Sequence, residues 1–82
     1  MKTTTVAAHD EARADLATRL ERMPRAITAP ELGAAVGLGR TVMYEHIREG
    51  EITYMRFGGA IRIDPAEAAR WVREHTITRR AA

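Results

Sequence analysis

The chain of 82 residues contains no cysteine, a single lysine, four aromatic residues and no long apolar run. Without cysteine, disulfide bonds and thiolate metal sites are excluded, and the chain is compatible with a reducing cytoplasm. No stretch approaches the roughly 18 uninterrupted apolar residues that a membrane span requires. The first residues also lack the apolar core of a secretory signal peptide, so we expect a cytoplasmic protein with no membrane partner.

Large apolar residues are unevenly distributed along the chain. Hydrophobic residues make up 45% of the sequence, but fifteen of these thirty-seven are Ala, which leaves twenty-two that can fill a core. Five of the twenty-two fall in residues 1–26, whereas seventeen fall between Ile27 and Ile77. We therefore expect one small domain in the second part of the chain, and a domain of this size is only marginally stable.

The same pattern divides the chain into four segments. These are a disordered leader over 1–8, an N-terminal helix and linker over 9–26, a folded domain over 27–75 and a flexible basic tail over 76–82. Within the second segment an amphipathic helix is predicted over Asp10–Met23, and Pro24 ends it. Its apolar stripe consists of Ala12, Leu16, Leu20 and Met23. We expect this helix to pack on the following domain, and pairing with a second copy is the alternative.

A capping signal opens the folded domain. Thr28 and Glu31 have the S/T-x-x-E spacing of a capping box, in which each side chain accepts a free backbone N–H of the other residue. The spacing predicts a helix over residues 29–36. Residues 37–39, Gly-Leu-Gly, then make a tight turn, because glycine adopts the positive backbone angles that such a turn requires. A second helix is predicted over residues 40–49.

In the residues that follow, the spacing of the apolar residues changes from the repeat of a helix to every second residue, which is the repeat of a β-strand. Apolar residues at alternating positions from Ile52 onward, interrupted by Gly58-Gly59, predict a β-hairpin. Asp64, followed by proline, is a typical N-cap and predicts a third helix of the domain. Trp71 lies on the apolar stripe of that helix, so we expect it in the core. The fold class is therefore mainly α with a small β-hairpin.

The second helix of the domain has two different faces. Met43 and Ile47 lie four residues apart and are predicted to point, together with Leu38, toward the core. The opposite face carries Arg40, Thr41, Tyr44, Glu45 and Arg48. Helix, three-residue turn, helix, hairpin and helix form the layout of a winged helix-turn-helix. Because guanidinium, hydroxyl and carboxylate groups can bind base edges, we predict that this face binds double-stranded DNA.

The hairpin and the first helix of the domain add candidate contacts. Arg56 and Arg62 are predicted to point outward from the isoleucines of the hairpin and to contact the DNA backbone or minor groove beside Gly58 and Gly59. Thr28 and the helix N-terminus that it caps are predicted to contact a phosphate. A formal charge of +2 predicts modest non-specific attraction, so we expect several copies to associate cooperatively on DNA.

Taken together, these stretches resemble a known family. Residues 27–72 are similar to the excisionase group of small MerR-like winged helix-turn-helix proteins. The matching stretches are Ile27-Thr28-Ala29-Pro30-Glu31-Leu32, Leu38-Gly39-Arg40-Thr41-Val42-Met43-Tyr44, Ile47-Arg48-Glu49-Gly50-Glu51-Ile52 and Gly58-Gly59-Ala60-Ile61-Arg62-Ile63-Asp64. The resemblance implies a recombination directionality factor of a phage or mobile element, acting in the cytoplasm of a bacterial host. Such a protein binds and bends DNA and directs a separate tyrosine integrase toward excision.

The sequence departs from this family at three positions. Gly39 stands where the family usually has Ser or Thr before the DNA-reading helix, which predicts a weaker cap for that helix. Glu45 and His46 stand where the family more often has a basic and an apolar residue. The pattern of base contacts is therefore not carried over from the family.

Other functions fit parts of the sequence. A small MerR-like or AlpA-like transcriptional regulator would use the same fold at a promoter, and a DNA-packaging subunit has a related winged helix. A protein-interaction module dimerising through the N-terminal helix is the alternative from another class.

No enzyme and no cofactor are predicted from the residues. No nucleophile, base and orienting group form a recognisable set. The Gly37-Leu38-Gly39 turn follows a helix, not a strand, and lacks the third glycine of a dinucleotide-binding fingerprint. The three histidines, His9, His46 and His75, do not have metal-ligand spacing.

Overall fold

The computed structural model describes residues 14–77, and within that range it contains four helices and one two-stranded hairpin. In chain order the elements are α1 (Leu16–Glu21), α2 (Ala29–Val36), α3 (Arg40–Arg48), β1 (Met55–Phe57), β2 (Ala60–Arg62) and α4 (Pro65–Glu74). Helices account for about half of these residues, which agrees with the mainly helical class predicted from the sequence. The predicted leader over 1–8 and residues 78–82 of the predicted tail lie outside the described residues.

Helix α1 is shorter than the sequence predicted. Asp15 has extended backbone angles, and its carboxylate accepts the backbone N–H of Thr18 at 2.8 Å. Because an Asp side chain satisfies a free N–H best from the cap position, this helix begins at Leu16, and residues 10–13 of the predicted helix lie outside the described residues. At the other end Arg22 is the C-cap, one residue before the predicted limit at Met23.

Helix α1 packs against α4, as expected for a helix that belongs to the domain. Leu20 is buried in the core, and Leu16 and Met23 are partly buried against the same cluster. The fourth residue of the predicted stripe, Ala12, lies outside the described part of the chain.

The capping box at the start of α2 is formed as predicted. The hydroxyl of Thr28 accepts the backbone N–H of Glu31 at 3.1 Å, and the Glu31 carboxylate accepts the backbone N–H of Thr28 at 2.8 Å. Ile27, just before the cap, and Leu32, in the second turn, are both fully buried in the core. This pair is a hydrophobic staple, which fixes the direction in which the chain enters α2.

Two glycines shape the junction between α2 and α3, one in the turn and one inside α2. Gly37 is the C-cap of α2 and has a φ of 81°, in the left-handed region that glycine adopts without steric cost. At Gly33 a Cβ atom would lie 2.6 Å from the carbonyl oxygen of Leu38 and 2.8 Å from Cγ of Met43. The missing side chain of Gly33 therefore lets α2 approach both the turn and α3.

The prediction that Leu38 points into the core with Met43 and Ile47 is wrong. Met43 and Ile47 are buried, but Leu38 is 38% exposed. The backbone of Leu38 lies against α2, where its N–H donates to the carbonyl of Gly33 at 2.8 Å. With its backbone held there, the side chain of Leu38 remains at the surface.

The core is apolar and brings together all parts of the described chain. Its largest fully buried side chains are Ile27, Leu32, Met43, Ile52 and Ile63. Trp71 of α4 packs in the same cluster, as predicted. No side chain in the described range is both polar or charged and buried, so apolar packing holds the elements together.

The hairpin is short and is joined to the start of α2. Strands β1 and β2 pair antiparallel around Gly58 and Gly59, and Ile63 exchanges two backbone hydrogen bonds with Ile27 at 2.9 and 2.8 Å. Strand β1 begins at Met55, so Ile52 precedes it and contributes to the core instead.

The register of the hairpin corrects the prediction for one of its two arginines. Arg56 is opposite Ile61, whereas Arg62 is opposite Met55. Cross-strand partners share a face and neighbouring residues on a strand alternate, so Arg56 lies on the face of Ile61 and Arg62 on the other face. Only Arg62 points away from the isoleucine face.

Helix α4 has the predicted start. The carboxylate of Asp64 accepts the backbone N–H of Ala66 at 2.8 Å, and Pro65 is the first helical residue. His75 is the C-cap.

Among the helices described, none is long and apolar enough to cross a membrane.

Candidate nucleic-acid interface

The exposed face of α3 presents a row of large polar side chains. Arg40, Tyr44 and Arg48 follow one another at a spacing of four residues, so they lie along one side of the helix. All three are exposed, while Met43 and Ile47, in the adjacent row of the helix, are buried. The sequence predicted this division of the helix, and the structure places each of these side chains accordingly.

Thr41 and Glu45 complete the exposed face of α3. Both side chains are exposed and lie on the side of the helix most distant from the core. A hydroxyl can donate or accept a hydrogen bond, whereas an ionised carboxylate only accepts. On a base-reading surface, Glu45 would therefore bind an exocyclic amino group such as that of cytosine.

The arginines of the described range differ in their partners. Those bound to carboxylates of the protein itself are Arg25, Arg70 and Arg73. By contrast, Arg40, Arg48 and Arg56 form no ion pair or side-chain hydrogen bond with any other residue between 14 and 77. Arg19 and Arg62 donate to backbone carbonyls, and Arg22 also has a partner, so the guanidinium groups without a partner in the described range are found on α3 and on β1.

A groove lies between α3 and the hairpin. It is lined by Tyr44, Ile47, Arg48, Tyr54, Arg56 and Ile61. Arg56 reaches this groove because it shares the face of Ile61, which is the face that turns toward α3. Two guanidinium groups beside one groove repel each other, and an anion bound between them would remove that repulsion.

The remaining predicted residues of the hairpin lie outside this groove. Arg62 is half-buried on the opposite face, and its guanidinium donates to the carbonyl of Ile61 at 2.9 Å. Gly58 and Gly59 are exposed at the tip, where Gly58 has a φ of 63°. Phe57, which the sequence did not single out, is 63% exposed beside them. The tip is therefore slim and carries one exposed aromatic ring.

Thr28 is engaged in a contact within the protein, which competes with the predicted phosphate contact. Its hydroxyl and its N–H are both used in the capping box with Glu31. Hydrogen bonds from Arg25 and from the backbone N–H of Thr28 lower the pKa of Glu31 to about 2. The N-terminus of α2 therefore already holds an anion, the Glu31 carboxylate, and we leave Thr28 out of the interface.

The N-terminus of α3 differs from that of α2. Gly39 is its N-cap and provides no side-chain hydrogen bond, which confirms the weaker cap predicted from the sequence. The first turn also contains no acidic residue. Since the start of a helix carries a partial positive charge, this end of α3 is compatible with a phosphate group.

The structure brings together two histidines that are distant in the sequence. Nδ1 of His46 lies 2.8 Å and Nε2 of His75 lies 3.7 Å from the same carboxylate oxygen of Glu51. Sequence spacing had indicated no such cluster, because the two rings are brought together by the packing of α4 beside α3. This cluster is separate from the groove between α3 and the hairpin.

Comparisons with protein-family models, with curated proteins and with solved structures gave no match to this chain. What the surface binds must therefore be inferred from its own residues and their geometry.

Proposed function

We propose that this chain is a winged helix-turn-helix protein that binds double-stranded DNA, with α3 in the major groove and the hairpin as the wing. The observation that carries the proposal is the distribution of the arginines. Arg40, Arg48 and Arg56 have no carboxylate partner within the described range and lie on the two elements that this fold uses for DNA. Phosphates and guanine bases are the anionic and acceptor groups that such guanidiniums bind bidentately.

The dimensions of α3 support this placement. An α-helix with its side chains is about 10–12 Å across, and the major groove of B-DNA is about 12 Å wide. In this arrangement Arg40 and Arg48 would contact guanine edges or phosphates, with Thr41 and Glu45 between them on the groove floor. Tyr44 would lie toward the wing.

The wing would lie along the neighbouring backbone. Arg56 faces α3 across the groove, so it would bind a phosphate of the strand that passes between the helix and the hairpin. Arg62 lies on the other face and would bind on the outer side of the wing. The glycine tip leaves room for a close approach to the backbone.

The specific function that we propose is that of an excisionase acting in the cytoplasm of a bacterial host. The resemblance of residues 27–72 to MerR-like excisionases supports it, and the partner would be the tyrosine integrase of the same phage or mobile element. A net charge of +2 supports cooperative binding of several copies, since affinity for DNA grows with the number of phosphates neutralised. A transcriptional regulator would use the same surface at a promoter.

The protein-interaction alternative receives less support. Dimerisation through the N-terminal helix requires an apolar stripe that is available to a partner. Leu20 is buried within this domain, and Leu16 and Met23 are partly buried against its core. Most of the stripe is thus already covered by α4 and the core.

The DNA interface is tested by three alanine variants and their salt dependence. We expect Arg48→Ala and Arg56→Ala each to weaken binding to duplex DNA. Each should also reduce the slope of log K against log salt by about 1 if its guanidinium neutralises one phosphate. Arg73→Ala is the matched control, because Arg73 is bound to Glu21 at 2.8 Å on another part of the surface. Fluorescence anisotropy at several salt concentrations measures both quantities, and equal binding by all four proteins would contradict the interface.

A footprint separates the two DNA-binding functions. Protection of several adjacent sites beside an attachment sequence, with stimulation of excision by the cognate integrase in vitro, is expected of an excisionase. Protection of a promoter without any effect on excision would identify a regulator instead.

A further inference from the structure

A cluster of metal-ligating side chains lies at the C-terminal ends of α3 and α4. His46 belongs to α3, Glu49 is the C-cap of that helix, Glu51 follows two residues later, and His75 is the C-cap of α4. One ligand atom each of His46, Glu49 and Glu51 can be chosen so that all lie within 4.8 Å of one another. The cluster therefore combines two segments that are far apart in the sequence.

Glu51 is the centre of the cluster. Its Oε1 atom lies 2.8 Å from Nδ1 of His46 and 3.7 Å from Nε2 of His75, and the indole N–H of Trp71 donates to it at 3.4 Å. One oxygen atom of Glu51 thus connects both histidines and Trp71.

The ring of His75 is oriented as in a metal-binding histidine. Its Nδ1 atom lies 2.8 Å from the backbone carbonyl of Trp71. Because a carbonyl oxygen only accepts, Nδ1 donates to it, and Nε2 is the nitrogen that faces Glu51. A backbone carbonyl bound to the far nitrogen is the usual arrangement behind a ligating imidazole.

We propose that His46, Glu49 and Glu51, with His75 as the fourth ligand, bind one divalent transition-metal ion of the zinc type. Two imidazole nitrogens with carboxylate oxygens suit Zn²⁺, Co²⁺ or Ni²⁺, whereas Mg²⁺ and Ca²⁺ prefer oxygen ligands alone.

The spacing of the donor atoms is compatible with such an ion. Metal–ligand bonds of about 2.0–2.2 Å in a tetrahedral site place neighbouring donor atoms roughly 3.3 Å apart. The measured separations from Oε1 of Glu51, 2.8 Å to His46 and 3.7 Å to His75, lie on either side of that value. His75 lies outside the group whose ligand atoms are all within 4.8 Å of one another, so its side chain would have to turn toward the other three to complete the coordination.

The position of the cluster predicts what the metal does. On a helix with 3.6 residues per turn, His46 lies on the opposite side of the axis from Tyr44, so the ion would not occupy the groove beside the hairpin. It would join the end of α3 to the end of α4. Because the unfolded chain does not hold these ligands together, binding would stabilise the folded state and fix α3 in place. DNA binding is not needed for this effect.

Zinc titration of the full chain without an affinity tag tests the site. We expect one Zn²⁺ per chain by calorimetry, an increase of several degrees in Tm with excess zinc, and no increase with the same concentration of Mg²⁺. Trp71, the one tryptophan of the chain, lies with its ring centroid 5.3 Å from that of His46 and 5.0 Å from that of His75. Its fluorescence should therefore change at the same stoichiometry.

Single substitutions identify the side chains that bind the metal ion. His46→Ala, His75→Ala and Glu51→Gln should each lower zinc affinity at least tenfold. His9→Ala and Glu45→Gln are the matched controls and should bind zinc as the parent does. His75 is exposed at the end of α4, so its variant serves even if Glu51→Gln fails to fold. Absence of zinc binding by the parent, or a zinc response lost in His9→Ala and kept in His75→Ala, would overturn the proposal.

Discussion

Arg25 and Arg48 are both exposed, but their surroundings give them different roles. Arg25 donates two hydrogen bonds to the Glu31 carboxylate at 3.1 and 2.6 Å. Arg48 has no such partner in the part of the chain that the structure describes. A guanidinium that is not bound to a carboxylate keeps its full capacity for an external phosphate or base. Arginines bound within the protein and arginines available to an external anion are thus distinguished at the level of single side chains.

The Arg25–Glu31 pair predicts a stability change in acid. The pKa of Glu31 is lowered from 4.5 to about 2, chiefly by the hydrogen bond from Arg25. A carboxyl whose pKa is lowered by folding stabilises the folded protein at pH values above its pKa in the unfolded chain. This contribution is lost as the pH falls from about 4.5 toward 2. We expect Glu31→Gln to be less stable than the parent near neutral pH, and the difference to disappear near pH 2.

Urea denaturation at several pH values measures this difference. Glutamine keeps an oxygen that accepts the N–H of Thr28, so the variant removes the charge while preserving the cap. Glu45→Gln is the control, since Glu45 forms no ion pair within the described residues. A Glu31→Gln variant whose stability follows that of the parent at every pH would contradict the assigned cause.

At the scale of elements, the angle between α2 and α3 depends on the absence of one side chain. A Cβ atom on Gly33 would lie 2.6 Å from a backbone oxygen, which cannot move without displacing the turn. We expect Gly33→Ala to destabilise the fold by about 1–3 kcal/mol, as overpacking does elsewhere. In a domain of this size each kcal/mol lowers Tm by about 4–8 °C. Thermal unfolding followed by circular dichroism measures the change.

Helix propensity gives the opposite expectation for the same substitution. Alanine is favoured over glycine inside a helix by about 1 kcal/mol, so propensity alone would raise the Tm of Gly33→Ala. The exposed Ala34 in the same helix provides the comparison, because Ala34→Gly should lose stability through propensity only. A Gly33→Ala protein with an unchanged or higher Tm would show that the close approach is unimportant.

The pairing of the two hairpin strands also determines which side chains line the groove beside α3. Its register sets which arginine faces α3, and a slip of one residue would exchange Arg56 for a neighbour on the opposite face. The two backbone hydrogen bonds between Ile63 and Ile27 connect the hairpin to the start of α2. The groove between α3 and the hairpin therefore keeps its shape through backbone pairing as well as through packing.

At the scale of the whole molecule, α1 packs into the same apolar core as the later helices. Leu20 of α1 is 5% exposed and belongs to the same core cluster as Trp71 of α4. We expect Leu20→Ala to destabilise the protein by about 2–5 kcal/mol, the usual cost of a cavity in a core. The molar mass in solution should stay the same, which analytical ultracentrifugation measures.

Leu38→Ala is the control for this substitution. Leu38 is 38% exposed, so the same truncation should have a much smaller effect on stability. If Leu20→Ala unfolded no more easily than the parent but changed its molar mass, α1 would be a dimerising element and not part of the core.

The sequence alone determined those features whose partners are close together in the chain. The capping box of Thr28 and Glu31, the Asp64 cap and the glycine turn after α2 follow from spacings of a few residues. The two faces of α3 follow from its helical period. The Asp15 cap is equally local, since Asp15 and Thr18 are three residues apart, and it could have given the correct start of α1.

Tertiary structure decided the features whose partners are distant in the chain. Arg73 meets Glu21 across 52 residues, and His75 reaches Glu51 only because α4 packs beside α3. Likewise, Arg56 turns toward α3 because of the pairing register and not because of its own neighbours. Local patterns fix caps, periods and turns through short-range hydrogen bonds, whereas side chains from separate elements meet only after the apolar core has brought those elements together.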